Sequence, residues 1–293
     1  MNRPSLLALH CAALAPLLAL LTARASVQTA TPPPVPADKS AYTVFNPTPT
    51  ALLRDLSTDR PDQTESPYTV DAGHWQIELD FFNYTLDREA GVRTSTLNVA
   101  PLNLKLGLTN YADLQFIFDS YSRDRVRTTG VTATTRDWGD LTVRLKINLW
   151  GNDGGDTAFA LMPFVKVPLR LGDAGNDLVE GGLILPLALT LPAGFGLGLM
   201  TELDWFTDDT GRRRRAAWIN TVTLNRDLTS RLGGYVELVS SVSNERGAPS
   251  VAQFDFGFTY AVTRDVQLDA GCNLGLTRSA PDFQPFLGLS VRY

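Results

Sequence analysis

The side chains best suited to chemistry in this sequence are acids and bases that stand two positions apart in alternating stretches. Glu202 and Asp204 form one such pair, and two carboxylates held together can act as a general acid and a general base. The same residue types also line water-filled interiors, because a charge buried without water or a partner costs free energy. The candidates for such an interior are Glu78, Asp80, Lys105, Asp119, Arg144, Lys146, Lys166, Glu202, Asp204, Glu237, Asp255, Asp269 and Arg292.

These candidate charges are distributed unevenly along the chain. Bases concentrate in the stretches that contain Arg144, Lys146 and Lys166, whereas acids dominate from Glu202 to Asp269. If the stretches close into a ring, the two groups face each other across its interior. Two interpretations remain open: salt bridges that brace the wall, or a transverse field that orients polar or charged solutes at a wet constriction.

The residue inventory gives little support to nucleophilic or metal-assisted catalysis. The chain has 2 histidines and 2 cysteines, and only His74 and Cys272 lie beyond residue 25. A Ser–His–acid triad needs a histidine base, and a zinc site needs a cluster of His or Cys ligands. We expect neither a metal nor a cofactor and predict that the protein is not an enzyme; the alternative is a hydrolase that depends on His74.

The elements that position the charges show a period of two from His74 to Tyr293. Side chains alternate between the two faces of a strand, so each segment has one apolar and one polar face. Several segments reach 10–13 residues, which exceeds the usual strand of about 5–6 and suits a tilted transmembrane strand of about 9–11. The predicted strands are 74–85, 94–108, 113–121, 138–150, 157–168, 182–190, 195–206, 217–224, 232–242, 253–262, 266–277 and 283–293. They predict an all-β fold, a transmembrane up-and-down antiparallel β-barrel of about 12 strands in residues 74–293.

The predicted connections differ between the two ends of this barrel. Short turns at one end and long loops at the other are typical of outer-membrane barrels. The long connections are 86–93, 122–137, 169–181, 207–216 and 243–252, and the one exception among the short turns is 225–231. A soluble β-sandwich explains the alternation but not the strand lengths or this asymmetry.

The N-terminal part differs from the barrel in composition. Residues 1–25 combine Arg3, an apolar run and the small-x-small pattern Ala23-Arg24-Ala25, which predicts a cleaved signal peptide. Without them the formal charge changes from −5 to −7, an acidic balance that argues against a nucleic-acid partner. Residues 26–73 are rich in proline and lack apolar periodicity, so this segment is either a periplasmic tether or a plug in the lumen.

The C-terminal and loop residues indicate the membrane partners. The last strand alternates and ends at Tyr293, a pattern similar to the signal that barrel-assembly machinery reads. Arg212–Arg215 could meet lipopolysaccharide phosphates, or could simply be a solvated loop tip. Aromatic side chains near the strand ends are candidates for interfacial girdles; these are Trp75, Trp138, Trp150, Trp205, Trp218, Tyr260 and Tyr293.

Several motifs resemble those of a known family. Residues 56–67 read LSTDRPDQTESP and are followed by GHWQIE at 73–78, and similar matches occur at 138–141, leading to Lys146, and at 163–168. Together they resemble the outer-membrane barrel family labelled for the meta-pathway of phenol degradation, from residue 56 to the end. The residues that carry the first motif are Asp59, Arg60, Pro61, Asp62, Thr64, Glu65, Ser66 and Pro67.

The resemblance implies a signal-bearing barrel of the Gram-negative outer membrane that passes small molecules, with aromatic or hydrophobic ones as candidates. We therefore predict an outer-membrane channel for passive uptake of such solutes. The alternative is a closed structural or surface-interaction barrel that uses its loops for adhesion or lipopolysaccharide contact. If residues 59–67 lie in the lumen, their charges are expected to meet wall residues such as Arg144 and Lys146.

Overall fold

The alternating segments form strands in a computed structural model that describes residues 38–169, 178–207 and 213–293. The predicted signal peptide, the start of the proline-rich segment and Arg212 lie outside the described residues. Within these ranges, no helix is long and apolar enough to cross a membrane. The strands are β1 (Trp75–Glu89), β2 (Val92–Val99), β3 (Leu102–Thr109), β4 (Ala112–Phe118), β5 (Tyr121–Thr128), β6 (Val131–Trp138), β7 (Leu141–Trp150), β8 (Thr157–Val167), β9 (Glu180–Leu191), β10 (Phe195–Thr207), β11 (Arg214–Asp227), β12 (Leu232–Ser243), β13 (Val251–Thr263), β14 (Val266–Gly275) and β15 (Phe283–Arg292).

The sheet closes on itself into an antiparallel barrel. From β7 to β15 each strand pairs with the next, and β15 pairs with β1 in a register that places Ile77 opposite Val291. β1 pairs with β3 at its first half and with β2 at its second. Because β2 and β3, β4 and β5, and β6 and β7 are halves of interrupted strands, the wall has 12 strands. The predicted fold class is confirmed.

Local backbone chemistry explains two of the three interruptions, and the third lies against one of these two. Pro101 has no amide to donate between β2 and β3, and Ala100 before it has a positive φ of 55°. Gly139 separates β6 from β7, and a Cβ there would lie 2.3 Å from the Cβ of Asp119, between β4 and β5. Only glycine allows the two neighbouring interruptions to approach so closely.

Beyond the interruptions, the strands extend further than the alternation predicted. The predicted connections 86–93 and 122–137 were wrong, because hairpins β1–β2 and β5–β6 run through them. Residues on both faces of this extension are polar, so it has no apolar face for a period of two to reveal. β6 pairs only with β5, so the extension leaves the main wall. The predicted exception at 225–231 also disappears, because β11 continues to Asp227.

The wall is apolar on its outer face and charged on its inner face, which is the reverse of a soluble protein. Leu238 and Phe258 are more than half exposed, whereas Lys105, Lys146 and Asp255 are at most 2% exposed. A lipid-facing surface requires apolar side chains outside, and charged side chains then lie inside. The candidate girdle residues are all exposed; these are Trp75, Trp138, Trp150, Trp205, Trp218, Tyr260 and Tyr293.

Candidate functional site in the barrel lumen

A hairpin formed by residues 54–73, here called the inner hairpin, lies within the barrel. Its two limbs are joined by a hydrogen bond between the Ser57 and Ser66 hydroxyls (2.8 Å). The Ser66 amide donates to the carboxylate of Asp59 (3.0 Å). At its end, the Gly73 amide donates to the Gly107 carbonyl of β3 (2.8 Å). A Cβ at Gly107 would lie 2.0 Å from a backbone oxygen of the hairpin, so glycine is required at this contact.

Asp59 joins the hairpin to the basic side of the lumen. Its carboxylate accepts from Lys105 of β3 (2.5 Å) and from Lys146 of β7 (2.6 Å). Lys105 also pairs with Glu78 of β1, whose carboxylate accepts the Asp59 amide (3.2 Å). Burial alone would raise the pKa of Asp59, but the charges of Lys105 and Lys146 outweigh it and hold that pKa well below its usual range. We call Asp59, Glu78, Lys105 and Lys146 the ionic latch.

Arg60 extends from the tip of the hairpin in another direction. Its guanidinium pairs with Asp80 of β1 (2.6 Å) and Asp269 of β14 (2.7 Å), and its carbon lies 5.8 Å from the Phe286 ring centre. A Cβ at Gly288 of β15 would lie 2.1 Å from the guanidinium. This glycine therefore makes room for Arg60 on the inner face of the wall.

The hairpin meets the acidic side of the lumen through neutral donors. Glu237 of β12 accepts the amides of Gln63 (2.8 Å) and Thr64 (2.9 Å) and the Thr64 hydroxyl (2.5 Å). The Gln63 side-chain amide donates to Asp255 of β13 (2.7 Å), whose other oxygen has no hydrogen-bond partner. Burial, with the charge of Glu237 next in size, raises the pKa of Asp62 in the same part of the hairpin to about 8.

Charged contacts also close the end at which the hairpin enters. Arg54 donates to Asp153 in the β7–β8 turn (3.0 Å), and Lys39 pairs with the same carboxylate (2.9 Å). Burial alone would raise the pKa of Asp153, but its hydrogen bonds from Asn110 and Lys39 outweigh it and lower that pKa. These contacts link the hairpin to the turns at the short-turn end of the barrel.

The structure brings most of the predicted interior residues to the lumen, but at different levels. Arg144 pairs with Glu65 of the hairpin, as expected for a hairpin in the lumen. Lys166 pairs with Asp119 (3.3 Å) towards the long-loop end, where Asp119 is about half exposed. Arg292 lies at the opposite rim and pairs with Asp265 (2.5 Å).

Two further positions need separate comment. Glu202 and Asp204 lie two positions apart in β10, on the same face of the strand. His74 does not lie near them: its ring nitrogens contact the carbonyl oxygens of Tyr293 (2.9 Å) and Thr48 (2.8 Å). His74, the one histidine in the described residues, therefore links Tyr293 to the segment before the inner hairpin.

Several neutral polar residues also line the lumen, and they were missed from the sequence because only charged residues were considered there. Gln115 donates to Asp59 (3.3 Å), and Asn148 donates to the Pro67 carbonyl (2.9 Å). Thr221 contacts the Thr64 hydroxyl (2.5 Å). All three occupy inward positions of the alternation, which is the signal that could have identified them.

These features define the class of the protein. A closed 12-stranded antiparallel barrel with an apolar exterior and a charged interior is a β-barrel of the Gram-negative outer membrane. The model of the family described as "Putative MetA-pathway of phenol degradation" matches residues 58–293, and the chain belongs to this family. The family resemblance is thus confirmed.

Comparison with solved structures agrees on the fold. The chain is similar to an outer-membrane channel from Pseudomonas putida F1, with 16% identity, a TM-score of 0.58 and coverage of 81% of this chain and 100% of that one. It also matches the NanC porin, with 11% identity, a TM-score of 0.48 and coverage of 74% and 98%. None of the curated proteins compared with the chain matches it.

Proposed function

We propose that the protein is an outer-membrane channel for passive uptake of small solutes, and that the inner hairpin acts as its plug. The observation that carries the proposal is the ionic latch, in which Asp59 of the hairpin lies between Lys105 and Lys146 of the wall. Twelve strands enclose a lumen between the filled eight-stranded barrel and the open porin. A segment held inside by ion pairs narrows such a lumen and leaves space beside it.

The space beside the hairpin supports passage rather than a sealed interior. Cavities of about 540 and 240 Å³ lie along the hairpin at the short-turn end, and one of about 410 Å³ opens at the long-loop end. Polar and charged side chains line them, which favours small polar solutes; the family's phenol label adds aromatic solutes as candidates. Transport requires no catalytic group, and we infer that the protein is not an enzyme.

The alternative is a closed barrel that serves as a structural or surface element. The buried ion pairs between the hairpin and the wall favour this alternative, because they restrict movement of the hairpin within the lumen. In both cases we infer lipopolysaccharide contact at the long-loop end and delivery by the barrel-assembly machinery through the strand that ends at Tyr293.

Single-channel conductance in a planar bilayer tests the proposal. We expect a small conductance for the mature chain and a larger one when residues 26–67 are deleted. Heat-modifiable migration on gels verifies that both barrels are folded. No current from the folded mature chain would favour the closed barrel, and equal conductance of the two proteins would exclude the plug.

A further inference from the structure

The basic and the acidic side chains of the lumen have different kinds of partner. Six bases in and beside the inner hairpin each lie within 4.0 Å of at least one carboxylate; these are Arg54, Arg60, Lys105, Arg144, Lys146 and Lys166. Two of the acids of the hairpin, Asp59 and Glu65, pair with three of them. The hairpin therefore neutralises the basic side of the lumen.

The acidic side lacks such compensation. Glu237 and Asp255, which are 1% and 0% exposed, are met by amides and a hydroxyl of Gln63 and Thr64. These donors are neutral, so they bring no positive charge to the acidic side. Arg60 is the base nearest the tip, and it already faces two carboxylates, Asp80 and Asp269.

Five cavities lie beside the hairpin and form a connected series. They measure about 410, 200, 180, 240 and 540 Å³, starting from the one at the long-loop end. Neighbouring cavities share lining residues, which are, in the same order, Asp80 and Asn83, Arg60 and Pro61, Asp62 and Asn225, and Ser57 and Tyr68. Asp62 lines two of them directly, and Gln63, which contacts Glu237 and Asp255, lines a third.

We propose that solutes pass along the tip of the inner hairpin beside Asp62, close to the buried carboxylates of Glu237 and Asp255, and that the channel selects cations over anions. This inference rests on the channel function proposed above and names the solute class of the same lumen. Charged linings favour counter-ions within a narrow pore. Organic cations such as protonated amines fit such a path, whereas free carboxylates are disfavoured.

The expected size of the effect follows from Coulomb's law. One charge about 5 Å from the path changes the local potential by about 0.8 kcal/mol even at the dielectric constant of water, which is about fourfold in ion occupancy. Removal of one carboxylate is therefore expected to lower the K⁺/Cl⁻ permeability ratio by up to about sixteenfold, because cation occupancy falls about fourfold and anion occupancy rises about fourfold.

The reversal potential of the small-conductance state in a KCl gradient at pH 9, where Asp62 with its pKa of about 8 is ionised, measures this ratio for the mature chain. We expect cation selectivity for the unaltered protein and a lower ratio for Asp62→Asn and Glu237→Gln. Asp62→Asn changes a hairpin residue and leaves the wall intact, so it serves if Glu237→Gln weakens the barrel. The matched control is Glu89→Gln, which removes an exposed acid from the end of β1 and should not change the ratio.

Each outcome has a distinct meaning. A current without cation preference, or a preference that both lumen variants retain, would overturn the assigned path while the channel function stands. A loosened hairpin would raise conductance without lowering the ratio, so conductance and ratio separate a structural effect from an electrostatic one. The absence of any current would overturn the channel function and this inference with it.

Discussion

Replacement of Asp59 by Asn tests the ionic latch most directly. The substitution preserves shape but removes the one charge that faces both Lys105 (2.5 Å) and Lys146 (2.6 Å), which are 2% and 1% exposed. Loss of one partner from a buried pair typically costs about 3–5 kcal/mol, because the remaining charge stays buried without compensation. Lys105 keeps Glu78 as a partner, so the lower figure of about 3 kcal/mol applies here. Since about 1.4 kcal/mol is a factor of ten, the balance between docked and undocked hairpin should shift about 100–200-fold.

The assay is the distribution of conductance states in a planar bilayer. We expect Asp59→Asn to populate the large state seen when residues 26–67 are deleted. The control is Asp55→Asn, the same change at an exposed hairpin position, which should behave as the unaltered protein. Addition of Lys146→Met to Asp59→Asn removes one stranded charge and should restore part of the small state. Identical records from Asp59→Asn and Asp55→Asn would refute the latch.

Three other predictions concern the same lumen. Burial and the charge of Glu237 raise the pKa of Asp62 to about 8 in the docked hairpin, so docking is fully favoured below about pH 4 and weakens as the pH rises towards 8. Bilayer recordings between pH 5 and 9 should therefore show a conductance that increases with pH, and a conductance that decreases would contradict this prediction. Gly288→Ala places a Cβ 2.1 Å from the Arg60 guanidinium and should lower the melting temperature of the unaltered protein but not that of the Arg60→Ala variant, whereas an equal loss in both backgrounds would remove the steric argument. Gly107→Val pushes against a backbone oxygen 2.0 Å away, so fluorescence of a dye attached near the hairpin should report undocking while heat-modifiable migration persists, and an unchanged dye signal would count against the contact.

The sequence predicts the wall well, because one physical rule governs it. Alternation between lipid and lumen identifies β7 to β15 and places Lys105, Lys146 and Glu237 inside. The rule fails for β5 and β6, where Arg123 and its neighbours are polar on both faces. Outside the apolar layer no face must exclude charge, so the period disappears although the strands continue.

The position of the inner hairpin could not be derived in the same way. It has no periodicity, and its partners are remote in sequence: Asp59 contacts Lys146 across 87 positions, and Arg60 contacts Asp269 across 209. Charge types alone left tether and plug equally open. Gly288 occupies an inward position of β15, and only the approach of Arg60 shows why a side chain is absent there.

The inner hairpin enters and leaves the barrel at the same end, and this has a consequence for how the molecule can be assembled and operated. Arg54 near its beginning and Gly73 at its end both contact the short-turn rim, at Asp153 and Gly107. The hairpin is therefore a loop inserted into a ring and not a chain threaded through it. The wall can close before or after the loop is seated, and the loop can be withdrawn on the periplasmic side without opening any strand pairing. A mechanical pull on the preceding chain would break the rim contacts first, then the ionic latch, and the tip at Arg60 last.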